Sequence, residues 1–136
     1  MPEPTDCTLN LGDQNPEELI SLFNEGLSTD LFKKTATCLQ VSESRLADTV
    51  GITVSTLTRR KRKGRFNKGE SERVYRMIRI FNRALEVMGT EDAARRWIHT
   101  PIKPLGSKTP FEYADTEVGA REVEAVLGRI EHGVFS

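Results

Sequence analysis

Between Ser42 and Gly64 the chain carries two short helical patterns that meet at a glycine, and this pairing restricts the fold more than any other feature. The first, SESRLADTV, opens on Ser42, a residue type suited to a helix N-cap, and sets Leu46, Ala47 and Val50 on one side. Gly51 ends it, because glycine takes the left-handed conformation of a tight C-cap without steric cost. Thr53 caps the second pattern, VSTLTRRKRK, and Gly64 stops it. Leu46, Ala47, Val50, Ile52 and Leu57 are the inner contacts of a helix-turn-helix: Ala47 is small where the second helix crosses, and Leu57 pins that helix to the core.

Such an arrangement leaves the N-terminal face of the second helix free to enter a DNA major groove. Thr53, Ser55, Thr56, Thr58 and Arg59 stand there. Hydroxyls can bond base edges or phosphate, and arginine can grip guanine with two hydrogen bonds. Behind them runs RRKRKGR, with Arg59, Arg60, Lys61, Arg62, Lys63 and Arg65, dense enough to meet several phosphates. The candidate DNA-binding set is therefore Thr53, Ser55, Thr56, Thr58, Arg59, Arg60, Arg62 and Lys63. Arg60 departs from the simplest pattern, since the position three after the pinning leucine is often apolar. A plain helical hairpin with a solvated basic face is the bland alternative, and binding of RNA or another polyanion is a further one.

The formal charge is zero, yet it is unevenly spread. Residues 1–31 carry seven acids and no bases, −7; residues 32–83 carry fourteen bases and four acids, +10; residues 84–136 carry six bases and nine acids, −3. A basic middle between acidic ends points to a nucleic-acid surface on one part of the molecule only.

The rest of the chain reads as helices too. Residues 1–15 are polar, with Pro2, Pro4 and Gly12, and are expected to be poorly ordered. A short helix starts at Asn15-Pro16, with Glu17 and Glu18 in its first turn and Gly26 near its end. Another covers 30–40, where Leu31, Phe32, Ala36 and Leu39 recur at helical spacing. A long helix at about 70–88 sets Val74, Met77, Ile78, Phe81, Leu85 and Met88 on one face. Gly89 stops it and Thr90 caps EDAARRWIH, which ends before Pro101. Thr109-Pro110-Phe111-Glu112 is a capping box, and the last helix runs from about 117 to 131. No alternating strand pattern of useful length occurs, so the expected fold is all-α.

Several functions find no support in these residues. No apolar run approaches the roughly 20 residues of a membrane helix. The first residues lack the basic and apolar parts of a secretory signal. Cys7 and Cys38 lie far apart, with no CxxC and no histidine pair, which argues against a zinc site and a secreted disulfide scaffold and for a reducing cytoplasm. Cys7 reads as an exposed thiol and Cys38 as a small buried hydrophobe. His99 and His132 stand near helix ends, where histidine complements the dipole. Trp97 reads as a core anchor, with a partner-binding role as its alternative. No catalytic constellation, cofactor motif or metal-ligand cluster emerges, so an enzyme is not expected.

From residue 41 onward the chain resembles a known family. The residues are LADTVGITVSTLTRR at 46–60, ESERVYRMIR at 70–79 and ARRWIHTPIKPLGSKTPFEYADTEVGAREVEAVLGRIEHGVFS at 94–136. The order W-x-x-x-P, L-G-x-x-T-P, G-A-x-x-V-x-x-x-L-x-x-I-x-x-G is similar to that of Xre-type antitoxins, which carry the Xre/MbcA/ParS toxin-binding domain and belong to RES–Xre toxin–antitoxin systems. Ser107 stands where the family often has a second glycine.

The resemblance implies a dimeric, helical, cytoplasmic bacterial protein. Its N-terminal module would bind operator DNA, and its C-terminal module would occlude the active site of an NAD-depleting RES-domain toxin in a hetero-oligomer. Carried onto this sequence, Arg129, His132, Gly133, Val134, Phe135 and Ser136 would form the toxin-facing end. Val134 and Phe135 add a physical reason, as apolar residues beside the terminal carboxylate. Trp97, Pro101, Leu105, Thr109 and Pro110 match the family pattern and read as structural. The expected organisation is an acidic segment at 1–29, a helix-turn-helix module at 30–66 and a helical toxin-binding and dimerisation domain at 67–136. A stand-alone dimeric repressor, with the C-terminal half serving only dimerisation, is the alternative.

Overall fold

A computed structural model describes Cys7 and residues 15–133; over them the chain forms eight α-helices and no strand. In order these are α1 Pro16–Glu25, α2 Thr29–Leu39, α3 Glu43–Thr49, α4 Val54–Lys63, α5 Lys68–Met88, α6 Glu91–Ile98, α7 Pro110–Tyr113 and α8 Glu117–Glu131. A 3-10 turn, Lys103–Leu105, lies between α6 and α7. The all-α expectation holds. The expected disorder of residues 1–15 falls largely outside the described residues.

Short-range chemistry sets the helix starts. Asn15, Ser42, Thr53, Thr90 and Thr109 each accept a hydrogen bond from a backbone N–H in the first turn, as their types suggest. Ser28, Asn67 and Thr116 do the same for α2, α5 and α8. Asn67 and Glu70 form a full capping box, because the Glu70 side chain also accepts from the Asn67 amide. Ser107 takes a left-handed conformation, φ +63°, which accounts for the glycine often found there in the family that the sequence resembles.

The axis of the fold is α5, which packs against α1, α2, α6 and α8. Val74, Met77, Ile78, Ile80, Phe81 and Ala84 along it are fully buried. Phe32 and Leu39 of α2, Leu46 of α3, Ile98 of α6, Phe111 of α7 and Leu127 of α8 close around them in one apolar cluster. Emptying such a position costs about 3–5 kcal/mol for a phenylalanine cut to alanine. Trp97 packs half-buried against this cluster. α1 docks through Phe23, whose ring lies 5.2 Å from that of Tyr75.

One expectation is overturned. Cys7 and Cys38 are joined by a disulfide, with Cα atoms 5.6 Å apart, and both residues are fully buried. The polar neighbours of Cys7 suggest an exposed thiol, yet Cys7 lies against α2, in the core cluster. A separation of 31 residues sets no limit on closeness in space once α1 folds back on α5. His99 differs as well: its Nε2 lies 2.7 Å from the Leu39 carbonyl, so it links α6 to the end of α2 besides standing at a helix terminus.

Candidate functional site

The turn between α3 and α4 is held from three sides. The Val50 and Ile52 amides donate to the Leu46 and Ala47 carbonyls at 3.0 and 2.8 Å. Gly51 sits at φ +74°, a backbone conformation that side chains rarely adopt. Arg73 of α5 donates from Nε to the Val50 carbonyl at 2.7 Å, which ties the turn to the central helix. Ala47 and Leu57 are buried between the helices, as a helix-turn-helix requires.

This geometry sorts the basic run into two groups. Thr53, Ser55, Thr58, Arg59, Arg62 and Lys63 are exposed along one side of α4. Thr56 is half-buried; its hydroxyl accepts from Thr53 at 3.0 Å and from Arg59 at 3.2 Å. Val54, 61% exposed, joins this face, an apolar residue that the emphasis on hydroxyls and charge passes over. The other cations turn back to the protein. Arg60 donates to both carboxylate oxygens of Glu70, at 2.7 and 3.2 Å. Lys61 pairs with Glu43 at 2.7 Å, and Arg65 donates to the Gly26 carbonyl at 3.0 Å. Arg60 is thus engaged on α5, which fits its departure from the usual apolar residue: an ion pair stands where a packed side chain would.

Burial disfavours the charge on Glu70, but the hydrogen bonds from Arg60 and the Asn67 amide, with the Arg60 and Arg73 charges, outweigh it and hold the carboxyl below its usual range. The same hydrogen bond raises Arg60 further.

A second ionic array fixes the C-terminal helix. Glu117, Glu124 and Glu131 recur every seven residues on α8 and meet arginines of α5. Arg76 bonds Glu117 at 3.2 Å; Arg79 bonds Glu117 at 3.1 Å and Glu124 at 2.7 Å. Arg83 grips Glu131 with two bonds of 2.6 and 2.9 Å. One helix therefore holds both the turn before α4 and the whole length of α8. A pattern of acids at seven-residue steps opposite arginines at three- and four-residue steps is the signal that could have revealed it.

Burial opposes the charge on Glu117, yet Arg79 and Arg76 hold its carboxyl low; the Arg83 hydrogen bond leads in lowering Glu131. Their folded values lie below the usual value, so mild acid protonates the unfolded chain first. Stability from these pairs is complete above the usual carboxylate value of about 4.5 and is lost as pH falls through the lowered values. Thermal melts from pH 7 to pH 3 are expected to drop steeply at the acid end. Glu117→Gln should flatten that drop, and equal slopes for the two proteins would refute the role of the array.

At the far end of α8, Arg129, His132 and Gly133 are exposed. His132 lies 3.7 Å from Glu131, itself fixed by Arg83. Val134, Phe135 and Ser136, also in the expected toxin-facing end, lie outside the described residues.

Fold and site together define a helix-turn-helix protein whose central helix also carries a second helical domain. Residues 18–79 match the antitoxin Xre-like helix-turn-helix domain, and residues 83–133 match the antitoxin Xre/MbcA/ParS C-terminal toxin-binding domain. The chain is 37% identical over 120 residues to an Antitoxin Xre of Yersinia enterocolitica, covering 87% of this chain and 81% of the relative. It is 33% identical over 131 residues to an Antitoxin Xre of Photorhabdus laumondii, covering 95% and 88%. A third Antitoxin Xre, from Pseudomonas putida, is 26% identical over 115 residues, covering 85% and 64%. The chain belongs to the Xre antitoxin family.

Proposed function

We propose that this protein neutralises a cognate NAD-depleting RES-domain toxin by covering its active site, and represses its own operon as a cytoplasmic homodimer in a bacterium. The observation that carries the toxin-binding part is the end of α8. Arg129, His132 and Gly133 are solvent-facing, and the Arg83–Glu131 pair fixes the helix from which they project. A presented end of this kind can enter a partner's cavity without the cost of ordering the helix first. Val134, Phe135 and Ser136 extend the contact in this reading.

DNA reading rests on α4. Thr53, Ser55, Thr56, Thr58 and Arg59 supply base-edge and phosphate contacts, Val54 meets a thymine methyl, and Arg62 and Lys63 meet the backbone. Arg60 acts through Glu70 as a positioning residue. Two such helices are needed, because one reads only a few base pairs, and a homodimer provides them. The chemistry here is occlusion, with no group assigned to catalysis.

The test is growth of bacteria expressing the neighbouring RES-domain gene, alone, with the full chain, and with the chain lacking residues 131–136. The full chain should restore growth. The truncated chain should fail while still accumulating and melting as a folded protein. A harmless neighbouring gene would favour a stand-alone repressor, and rescue by the truncated chain would move the toxin contact away from the C-terminal end.

A further inference from the structure

The disulfide serves neither of the interfaces above. We propose that Cys7 and Cys38 form a reversible redox staple, closed by hydrogen peroxide and opened by a dithiol reductant, that fastens α2 to α6. Cys38 belongs to α2, within the matched helix-turn-helix domain. Cys7 is bonded to it through sulfur, and its amide donates to Glu91 Oε2 at 3.1 Å, at the start of α6 in the matched toxin-binding domain. One residue thus ties the two domains, with a covalent bond on one side and a hydrogen bond on the other. His99 crosses the same seam to the carbonyl of Leu39, the neighbour of Cys38.

A bridge in a cytoplasmic protein is a conditional state, since thioredoxin and glutathione keep thiols reduced and disulfides there serve mainly as switches. The switching role rests on the cytoplasmic location proposed above; the geometry does not. The Cα separation of 5.6 Å lies within the range that a disulfide spans.

Both cysteines are fully buried when bridged, so a reagent reaches the sulfurs only when Cys7 lifts off α2; the chemistry then needs no other protein group. One thiolate attacks a peroxide oxygen; the O–O bond breaks, giving a sulfenic acid and water. The second sulfur attacks the first; the S–O bond breaks and a second water leaves. Two electrons pass from the sulfurs to the peroxide, and both thiol protons end in water. A dithiol reverses this through a mixed disulfide and leaves as its own cyclic disulfide.

The closed loop spans 31 residues and contains α1. Tying off a loop of that length in the unfolded chain corresponds to a rise in Tm of about 10 °C for a protein of this size. The full-length protein is treated with hydrogen peroxide or with dithiothreitol, denatured, alkylated and weighed, with parallel thermal melts. The oxidised chain should take no alkyl group, run as a monomer on a non-reducing gel and melt about 10 °C above the reduced chain, which takes two. Cys7→Ser leaves Cys38 in place and should abolish the difference. Thiols still alkylated after peroxide, bridges formed only between chains, or coincident melts would each overturn the staple. None of these readouts involves toxin or DNA, so failure here leaves the proposed function standing.

Discussion

Alanine at Gly119 is expected to cost about 3 kcal/mol or more, while alanine at Gly128, nine residues along the same helix, is expected to stabilise by up to about 1 kcal/mol. At Gly119 an added Cβ would collide with the Tyr113 carbonyl oxygen and lie 2.9 Å from the Tyr113 carbonyl carbon. Both are backbone atoms at the end of α7, so no side chain can swing aside. The turn from α7 to α8 is tight enough that the start of α8 lies on the end of α7, and the Gly119 amide also caps onto Thr116 at 3.0 Å. Alanine must open that junction and drag buried Ala120 and Val123 with it. At Gly128 a Cβ meets nothing within 4 Å and the backbone is helical, so only the conformational entropy of glycine is removed. Denaturant unfolding of the two variants should therefore give opposite signs. A Gly119→Ala protein as stable as the parent would mean that the α7–α8 junction is looser than this geometry. Because α8 presents the toxin-facing residues of the proposed function, Gly119→Ala should also lose neutralisation, and Gly128→Ala should keep stability even where its position alters binding.

How far the sequence discloses this structure depends on the range of each interaction. The caps at Ser42, Thr53, Thr90 and Thr109, the glycine between α3 and α4 and the apolar face of α5 are legible, because each is decided within a few residues. So is the exposure of Thr53, Ser55, Thr58 and Arg59, which follows from Leu57 facing inward. Arg60 marks the limit. Its pattern shows that something other than an apolar contact stands there, but the partner, Glu70, is on another helix and already spoken for as a capping residue. The α5–α8 array is harder still, since every acid and arginine in it also reads as a solvated helix face. Cys7 is the clearest failure: local polarity says surface, and only its bond to Cys38 on α2 and its contact with Glu91 of α6 make it core. Interactions written in local patterns come through; those that pair two faces, each ordinary alone, do not.

The Arg60–Glu70 pair leads to the other large effect, on DNA selectivity. Glu70→Gln is expected to weaken discrimination between the operator of the proposed function and unrelated duplex by about tenfold, while making binding to unrelated duplex more salt-dependent. Glutamine at this position keeps the cap on the Asn67 amide, so α5 still starts where it does. It cannot hold Arg60 by charge. Arg60 now adds to the free cations of α4, and one more phosphate contact raises the slope of log affinity against log salt by about 0.9. Selectivity moves the other way: with its strut gone, α4 no longer holds Thr53, Ser55 and Arg59 at one angle to the base edges, and direct readout tolerates little misalignment. Glu70→Ala removes both the pair and the cap, so it should show the same loss of selectivity with a lower Tm. Titrations of operator and scrambled duplexes at three salt concentrations separate these effects. An unchanged slope in Glu70→Gln would show that Arg60 reaches no phosphate when freed, and an unchanged ratio would show that the strut does not set the pose of α4. Toxin neutralisation should be the same in Glu70→Gln as in the parent, since α8 is held by Arg76, Arg79 and Arg83, along about two helical turns of α5 that this substitution does not touch.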